Sequence, residues 1–304
     1  MTISTAPSVQ AIVVTFNADA SRLTNLLQRI STQVEKVVIV DNASQVSPSL
    51  VFQQLRDLGN HELIELPENS GVGVAQNVGL RKAIGDGAQF VIIFDHDSDP
   101  SDDLIQRLLD AHQQKTAEGY QVAAVGPRFV DERNTDLSSF VKLQGYRLRK
   151  IGCPGQDSVI EVDHLISSGS LICTDHLQQI GLMREDLFID YVDIEWGLRA
   201  QSKGFRCFGV CNAVMTHSLG DDPITHLGRT HTSHSPLRQY YLFRNRVFLY
   251  KQRWIPLRWR IADGSRLLLR YAFYTTLIGS KFEHWKMMHR GISDGLQSRL
   301  GKMN

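Results

Sequence analysis

Residues 90–97 read FVIIFDHD, an apolar run that ends in two acids one residue apart. A short run of this kind is typical of a strand buried on both faces of a parallel sheet. Side chains alternate along a strand, so we expect Asp95 and Asp97 to point the same way. Their carboxylates suit Mg²⁺ or Mn²⁺ holding a diphosphate, although acids are also common as turn formers after strands.

The sequence before this stretch repeats the same arrangement. Residues 11–16, 37–40 and 63–66 form further short apolar runs, and the first is followed by Leu and Ile at helical spacing. Alternating strands and helices predict βαβ units, hence an α/β fold around a parallel sheet. Such sheets bind ligands at the carboxyl ends of their strands. The polar residues expected there are Thr15, Asn17, Asp41, Asn42, Asp95 and Asp97.

The remaining sequence is less regular. Short strands are predicted at 122–125, 171–172 and 205–210, with a Gly/Ser turn at 167–170. A helix is expected to begin near Tyr191, and the pattern becomes helical from about Leu237.

Composition excludes several classes of protein. The chain has 304 residues, 42% of them apolar and 21% charged, which excludes a disordered or fibrous chain. The N-terminal residues lack the basic segment followed by an apolar segment that is typical of a signal peptide. The longest apolar stretch, 267–278, is shorter than the ~20 residues that a membrane-spanning helix needs. We therefore expect neither a signal peptide nor an integral membrane protein. The four cysteines predict reduced, mostly buried thiols without zinc.

The turn at residues 69–73 feeds a predicted helix that begins with two glycines. Gln76 stands where a third glycine would complete G-x-G-x-x-G, and no P-loop pattern occurs. Nicotinamide-dependent dehydrogenases and P-loop enzymes are therefore disfavoured.

Two further residues are ambiguous on sequence alone. His217 follows a predicted strand, where a packed core histidine is more common than a metal ligand. Asp193 stands at a helix start, where the pattern favours a helix cap over a general base.

Taken together, these segments resemble the family 2 glycosyltransferases, and most closely the bacterial rhamnosyltransferase branch. The matching segments are 14–17, 40–44, 69–73 with Asn77 and Gly79, 94–98, 168–170, 188–199, His217 and 235–245. Two departures are His96, where the branch usually has Gln, and Val192-Asp193, where the family usually has Glu-Asp.

The resemblance implies a GT-A fold, a Rossmann-like α/β/α nucleotide-sugar domain, and an inverting mechanism that uses Mg²⁺ or Mn²⁺. It assigns Asp193 as the catalytic base, in preference to Asp190 or Glu195. The residues implied for nucleotide-sugar binding are Thr15, Asn17, Asp41, Asn77, Arg81 and Asp95. The implied metal ligands are Asp95, Asp97 and His217, and the implied acceptor or sugar contacts are Ser168, Gly169, Glu195 and Trp196.

The formal net charge of +1 conceals two opposite parts. Residues 238–304 contain 14 Lys/Arg and three acids, a net charge of +11, which leaves −10 for residues 1–237. We expect a GT-A domain at 1–237 and a basic, aromatic-rich helical region at 238–304. The basic region could bind nucleic acid, form a solvated face, or lie on anionic lipid. No nucleic-acid-binding motif accompanies the charge, so we favour lipid.

The sequence thus predicts transfer of L-rhamnose from dTDP-L-rhamnose to a lipid-linked glycan acceptor, O-antigen or a similar surface polysaccharide. The enzyme is expected in the cytoplasm, peripherally at the inner face of the cell membrane. The alternatives are a UDP-hexose or UDP-HexNAc transferase of the same fold, and a non-catalytic carbohydrate-binding or scaffold protein.

Overall fold

Four parallel strands form the centre of the molecule. The computed structural model describes residues 7–54, 60–131, 134–216, 223–226, 229–232, 235–276 and 281–303. The strands are β1 (Val9–Thr15), β2 (Lys36–Asp41), β3 (His61–Glu65) and β4 (Phe90–Asp95), in the order β4-β1-β2-β3. Thr15 pairs with Asp41, and Val14 with Asp95, so the carboxyl ends meet at one edge. This arrangement confirms the predicted α/β core.

The sheet continues beyond β4 with strands of both directions. The later strands are β5 (Asp99–Pro100), β6 (Val122–Asp131), β7 (Asn134–Leu137), β8 (Phe140–Gln144), β9 (Arg147–Ile151), β10 (Val159–Val162), β11 (Leu171–Cys173), β12 (Arg206–Thr216), β13 (Pro223–His226) and β14 (Arg229–Thr232). The main sheet runs β10-β12-β6-β11-β4-β1-β2-β3. Because β11 is antiparallel to β4 and to β6, the sheet is mixed.

Nine α-helices lie within the described residues. They are α1 (Ala20–Ser31), α2 (Ser49–Gln54), α3 (Val72–Gly85), α4 (Leu104–Ala117), α5 (Thr174–Ile180), α6 (Val192–Ser202), α7 (Pro236–Leu249), α8 (Leu257–Thr276) and α9 (Lys281–Leu296). Asp19 caps the N-terminus of helix α1, because its side chain accepts hydrogen bonds from the backbone amides of Ser21 and Arg22. The Leu and Ile residues of α1 are buried, as their spacing predicted. None of the described helices is both long and apolar enough to span a bilayer.

The C-terminal helices pack on the sheet domain and on one another. Helix α7 is buried along most of its length, and α9 lies against it. Gly291 and Gly295 permit this approach, because a Cβ at either position would collide with the α7 backbone. The sequence-based boundary between residues 237 and 238 falls within the first turn of α7.

The prediction of four reduced cysteines is wrong. Cys153 and Cys211 form a disulfide with their Cα atoms 5.8 Å apart, and Cys173 and Cys207 are free. Strand β12 carries an irregularity between Gly209 and Val214, and the Cys211 amide donates to the Ser158 carbonyl there. This contact brings the segment after β9 beside β12, a proximity that the spacing of Cys207 and Cys211 could not indicate.

Candidate active site

The ends of β1 and β2 are joined by a buried polar network. The Thr15 hydroxyl donates to Asp41 Oδ1 at 2.7 Å, and the Ser44 amide and hydroxyl donate to the same carboxylate. Thr15 and Asp41 are both buried. Thr15 therefore orients Asp41, and Asp41 in turn fixes the loop that follows β2.

Asn17 connects the loops that follow β1 and β2. Its backbone amide donates to Ser44 Oγ at 2.7 Å, and its side-chain oxygen accepts from the backbone amide of Gln45 at 2.9 Å. Asn17 has φ +50°, in the left-handed region that Asn adopts more readily than most residues. Thr15, Asn17 and Asp41, three of the residues implied for nucleotide-sugar binding, thus form one connected unit through Ser44.

Asp95 and Asp97 lie at the end of β4, as predicted. The Asp95 amide donates to Ser168 Oγ at 3.1 Å, and Ser168 Oγ lies 2.7 Å from Ser98 Oγ. Ser168 is completely buried, and the Gly169 amide donates to the Ile93 carbonyl at 2.7 Å. Ser168 and Gly169, predicted as acceptor contacts, therefore brace the backbone that carries the two acids.

Asn77 and Arg81 fasten α3 to the segment after α5. Asn77 Nδ2 donates to the Met183 carbonyl and to Glu185 Oε1, both at 2.8 Å, and its Oδ1 accepts from the Met183 amide. Arg81 Nη2 lies 2.7 Å from Glu185 Oε1. These bonds engage the side-chain amide of Asn77 within the protein, and its implied contact with the nucleotide sugar stays a prediction.

Asp193 is in the first turn of α6 but does not cap the helix. The N-cap is Tyr191, which has left-handed backbone angles and makes no side-chain cap bond, while Asp193 Oδ1 accepts from the Ile194 amide at 2.8 Å. Burial raises the pKa of Asp193 to about 6, and the carboxylates of Asp190 and Asp95 act in the same direction. Asp193 is therefore not the N-cap residue, although its carboxylate does accept a first-turn amide of α6, and it has the pKa expected of a general base.

The two acids that flank Asp193 are both bound to arginines. Asp190 Oδ1 lies 3.2 Å from Arg238 Nη2, and the Glu195 carboxylate accepts two bonds of 3.0 Å from Arg199. Glu195 has no exposed surface. The prediction that Glu195 contacts the acceptor therefore does not hold, because its buried carboxylate forms an ion pair with Arg199, four residues later on α6.

Trp196 is likewise buried. Its indole N–H donates to the Gly181 carbonyl at 2.9 Å, and only 4% of the side chain is exposed. The predicted acceptor contact of Trp196 is also not supported, because the residue packs in the core behind α6.

A cavity of about 380 Å³ is lined by both Asp95 and Asp193. Its walls come from the starts of α3 and α6, the end of β4, the turn before β11 and the first turns of α7. The lining residues are Val72, Gln76, Asp95, Ile166, Ser167, Ile189, Asp190, Tyr191, Val192, Asp193, Ile194, Arg238 and Leu242. Asp95 and Asp193 thus share one cavity, whereas Thr15, Asn17, Asp41, Asn77 and Arg81 do not line it.

Gln76 and Arg238 are among the cavity residues that sequence reasoning did not assign to the site. Gln76 is buried, and its Oε1 has no hydrogen-bond partner among the described residues. The only sequence signal was that Gln76 interrupts a glycine pattern. Arg238 was counted only as one charge of the basic region, and no local pattern indicated that it reaches Asp190.

The residues at the end of β4 fit a divalent cation. Asp95 lines the cavity and Asp97 follows it two residues later in the chain, and Mg²⁺ commonly binds through one or two carboxylates together with substrate phosphates. Within the described residues no group of three His, Cys, Asp or Glu side chains could hold an ion. His217 lies outside the described residues. Thr216, which precedes it, pairs with Asp99, two residues after Asp97.

Comparison with known proteins identifies the fold. The chain is 29% identical over 97% of its length to dTDP-rhamnosyl transferase RfbF of Shigella flexneri, and the match covers 97% of that protein. It superposes on GalNAc-T7, crystallised with UDP, GalNAc and Mn²⁺, with a TM-score of 0.61 and 12% identity, covering 97% of this chain and 56% of that one. The mannosyltransferase PcManGT of Pyrobaculum calidifontis, in complex with GDP-Man and Mn²⁺, gives a TM-score of 0.57 and 15% identity, covering 97% and 89%.

These similarities confirm the predicted GT-A fold with its C-terminal helices, and they confirm the resemblance to the rhamnosyltransferase branch. The family model for Glycosyl transferase family 2 matches residues 10–166, more than half of the chain. The protein is a glycosyltransferase and belongs to Glycosyl transferase family 2.

Proposed function

We propose that this enzyme transfers L-rhamnose from dTDP-L-rhamnose to a hydroxyl of a lipid-linked bacterial surface glycan, with inversion at the anomeric carbon. The observation that carries the proposal is the cavity shared by Asp95 and Asp193. It gives one space in which a diphosphate can approach Asp95 while a hydroxyl approaches Asp193. The choice of donor rests on the similarity to RfbF along almost the whole chain.

Asp193 is the acid best suited to act as the base. The carboxylates of Asp190 and Glu195 are bound by arginines, and a pKa of about 6 keeps Asp193 ionised but basic near neutral pH. Asp193 accepts the proton of the acceptor hydroxyl as its oxygen bonds to the anomeric carbon. The bond from that carbon to the diphosphate breaks, and its electron pair leaves with dTDP.

Asp95 and Asp97, with His217 as a proposed third ligand, would hold Mg²⁺ or Mn²⁺. Such a cation, when bound, offsets the negative charge on the leaving diphosphate. The buried Ser168 and Ser98 hydroxyls fix the backbone of this turn, which keeps the Asp95 carboxylate at the cavity.

The acceptor side of the proposal rests on the surface of the C-terminal helices. Helix α8 exposes Leu257, Ile261 and Leu268, whose spacing of four and seven residues places them on one helix face. Phe282 and Trp285 of α9 are exposed and stacked, with ring centroids 5.9 Å apart. We propose that these five exposed side chains of α8 and α9 together form one apolar face.

Charge indicates what covers the apolar face. Nine of the 14 basic residues in 238–304 are exposed. Of the three acids in the same region, Asp263 and Asp294 are buried and Glu283 is exposed. The exposed basic residues are Lys251, Arg253, Arg258, Arg266, Lys281, Lys286, Arg290, Arg299 and Lys302. A second copy of this chain would bring like charges together, whereas anionic lipid offers both negative charge and an apolar interior. We therefore propose peripheral binding to an anionic membrane, at the inner face of the cell membrane.

Hydrolysis and transfer across a panel of nucleotide sugars test the choice of donor. With Mn²⁺ or Mg²⁺ present, we expect dTDP-L-rhamnose to be consumed faster than UDP-glucose or UDP-GlcNAc. Preferential use of a UDP sugar would establish the alternative hexosyl or HexNAc transferase. If no donor were consumed, the result would favour the alternative of a non-catalytic carbohydrate-binding or scaffold protein.

Vesicle flotation tests the membrane proposal on the full-length chain. We expect the wild type to float with phosphatidylglycerol vesicles and not with phosphatidylcholine vesicles, and Leu268→Glu with Phe282→Glu to abolish flotation. Leu50→Glu on α2, at a residue that is 65% exposed, is the matched control and should float normally. Normal flotation of the double variant would exclude the apolar face, and a concentration-dependent dimer lost in that variant would indicate a second copy instead.

A further inference from the structure

The loop that leads into α6 has an unusual backbone. Phe188, Asp190 and Tyr191 have φ values of +66°, +60° and +68°, so three of four consecutive residues are left-handed without being glycine. This region is disfavoured for residues with a Cβ, and it persists only where surrounding contacts impose it. Two residues later the chain reaches Asp193, so the loop conformation decides where that carboxylate lies.

Two buried residues of α7 supply the contacts. Asn245 Nδ2 donates to the carbonyls of Leu187, Ile189 and Asp190 at 3.0, 2.8 and 2.9 Å, and Arg244 Nη2 donates to the Leu187 carbonyl at 2.8 Å. Arg244 and Asn245 have no exposed surface. The loop carbonyls therefore find their donors on a helix that begins about 45 residues later in the sequence.

Arg244 and Asn245 act as one unit. Arg244 Nε donates to Asn245 Oδ1 at 2.9 Å, which leaves the amide N–H groups of Asn245 directed at the loop. Arg244 Nη1 also donates to the Gly301 carbonyl, which ties the pair to the end of the chain. We call these two residues the clasp.

The loop touches both sides of the cavity. The Phe188 carbonyl accepts from the Val72 amide at 2.7 Å, at the start of α3. Gly71 lies so close to Phe188 that a Cβ there would collide with the Phe188 backbone. Asp190 reaches Arg238, and α6 then presents Asp193. A shift of the loop would therefore move the base relative to Asp95.

We propose that Arg244 and Asn245 are positioning residues, which hold the left-handed loop so that Asp193 faces the acceptor hydroxyl. The inference rests on the proposed role of Asp193 as the base. The clasp residues are fully buried and do not line the cavity, so we place their effect on the reaction in the loop that they hold.

Steady-state kinetics of Asn245→Leu in the full-length enzyme test the clasp. Because a misplacement of about 1 Å can cost about 100-fold in rate, we expect kcat to fall about 10- to 100-fold while KM for the nucleotide sugar changes less than about threefold. In the Asp193→Asn background the same substitution should cause no further loss of kcat, since there is then no base to position. Gln239→Leu is the matched control, because Gln239 is a buried amide of the same helix that binds Arg270 instead of the loop.

Hydrogen exchange supplies a readout that does not depend on activity or on the identity of the donor. Asn245→Leu, and the milder Arg244→Lys, should speed exchange of the amides at residues 187–193, whereas Gln239→Leu should not. Unchanged exchange in both clasp variants would overturn the proposal, as would an equal loss of kcat in the presence and absence of Asp193. Failure to turn over any nucleotide sugar, with faster exchange at 187–193, would refute the proposed function and leave the clasp intact.

Discussion

At the scale of single residues, Asp193 differs from its two acidic neighbours, because no arginine in the described part of the chain is paired with it, whereas Asp190 and Glu195 each bind one. Replacing its carboxylate by an amide should remove the proton acceptor without changing the shape of the cavity. We expect Asp193→Asn to lower kcat about 10²–10⁴-fold and to leave the Kd for the nucleotide sugar nearly unchanged. Calorimetric titration beside the kinetics checks both values, and an equal loss of donor affinity would contradict the assignment as base.

The raised pKa of Asp193 predicts how activity depends on pH. A base must be ionised, so kcat/KM should fall tenfold per pH unit below an apparent pKa near 6. A rate–pH profile of the wild type checks this value. If kcat/KM instead fell only near pH 4, the ordinary range of an exposed aspartate, burial would not be what sets the pKa of Asp193.

The same pKa implies that Asp193 costs stability at neutral pH. A carboxyl whose folded pKa lies above its unfolded value stabilises the fold when protonated and loses that contribution as pH rises through about 6. Asp193→Asn should therefore raise the free energy of unfolding at pH 7.5 by about 1–3 kcal/mol and leave it unchanged below pH 4. Urea titrations at the two pH values measure the difference, and a variant that is less stable at pH 7.5 would contradict it.

Gln76 presents a different situation: its side-chain oxygen is a buried acceptor for which the described residues supply no donor. A leucine there would remove an unsatisfied polar atom, so the unliganded protein should be at least as stable as the wild type. If the Gln76 carbonyl binds a hydroxyl of the nucleotide sugar, Gln76→Leu should weaken donor binding about fivefold. Thermal melting and calorimetry test the two halves of this prediction separately, and unchanged donor affinity would exclude the contact.

At the scale of secondary-structure elements, the disulfide joins the segment after β9 to β12 across 58 residues. A closed loop of that length is expected to contribute about 4 kcal/mol by restricting the unfolded chain. Cys153→Ser should therefore lower Tm in non-reducing buffer, and dithiothreitol should produce the same shift in the wild type and none in the variant. Equal melting of wild type and variant would show that the two thiols are not bonded in solution.

The elements that could be predicted from sequence are those with a local pattern. Strands β1–β4 and the acids after β4 follow from apolar runs and their endings, and α6 follows from its acidic start. The Glu195–Arg199 pair also had a local signal, since Glu and Arg four residues apart commonly bind on a helix.

The contacts that could not be predicted join distant parts of the chain. Arg238 reaches Asp190 across 48 residues, Asn245 reaches Leu187 across 58, and Cys153 reaches Cys211 across 58. Apolar periodicity shows which face of an element is buried but not which element covers it. The role of α7 in the site was therefore visible only in the structure.

At the scale of the whole molecule, charge separation should govern approach to the membrane. The acidic part and the basic C-terminal region have opposite net charge, and exposed charges are screened within about 10 Å at 0.1 M salt. Flotation with phosphatidylglycerol vesicles should therefore weaken severalfold between about 0.1 and 0.5 M NaCl. Binding that is indifferent to salt would show that the apolar face alone accounts for the association.

The clasp also determines where this enzyme can be recombined with its relatives. A chimera that joins one protein's residues 1–237 to another's C-terminal helices would pair a left-handed loop from one parent with an Arg-Asn pair from the other. A crossover between α7 and α8, at residues 250–256, would keep loop and clasp from the same parent and exchange only α8, α9 and the chain end that meets Arg244. Hybrids built at that junction are the ones in which the proposed membrane attachment could be altered while the geometry around Asp193 is inherited intact.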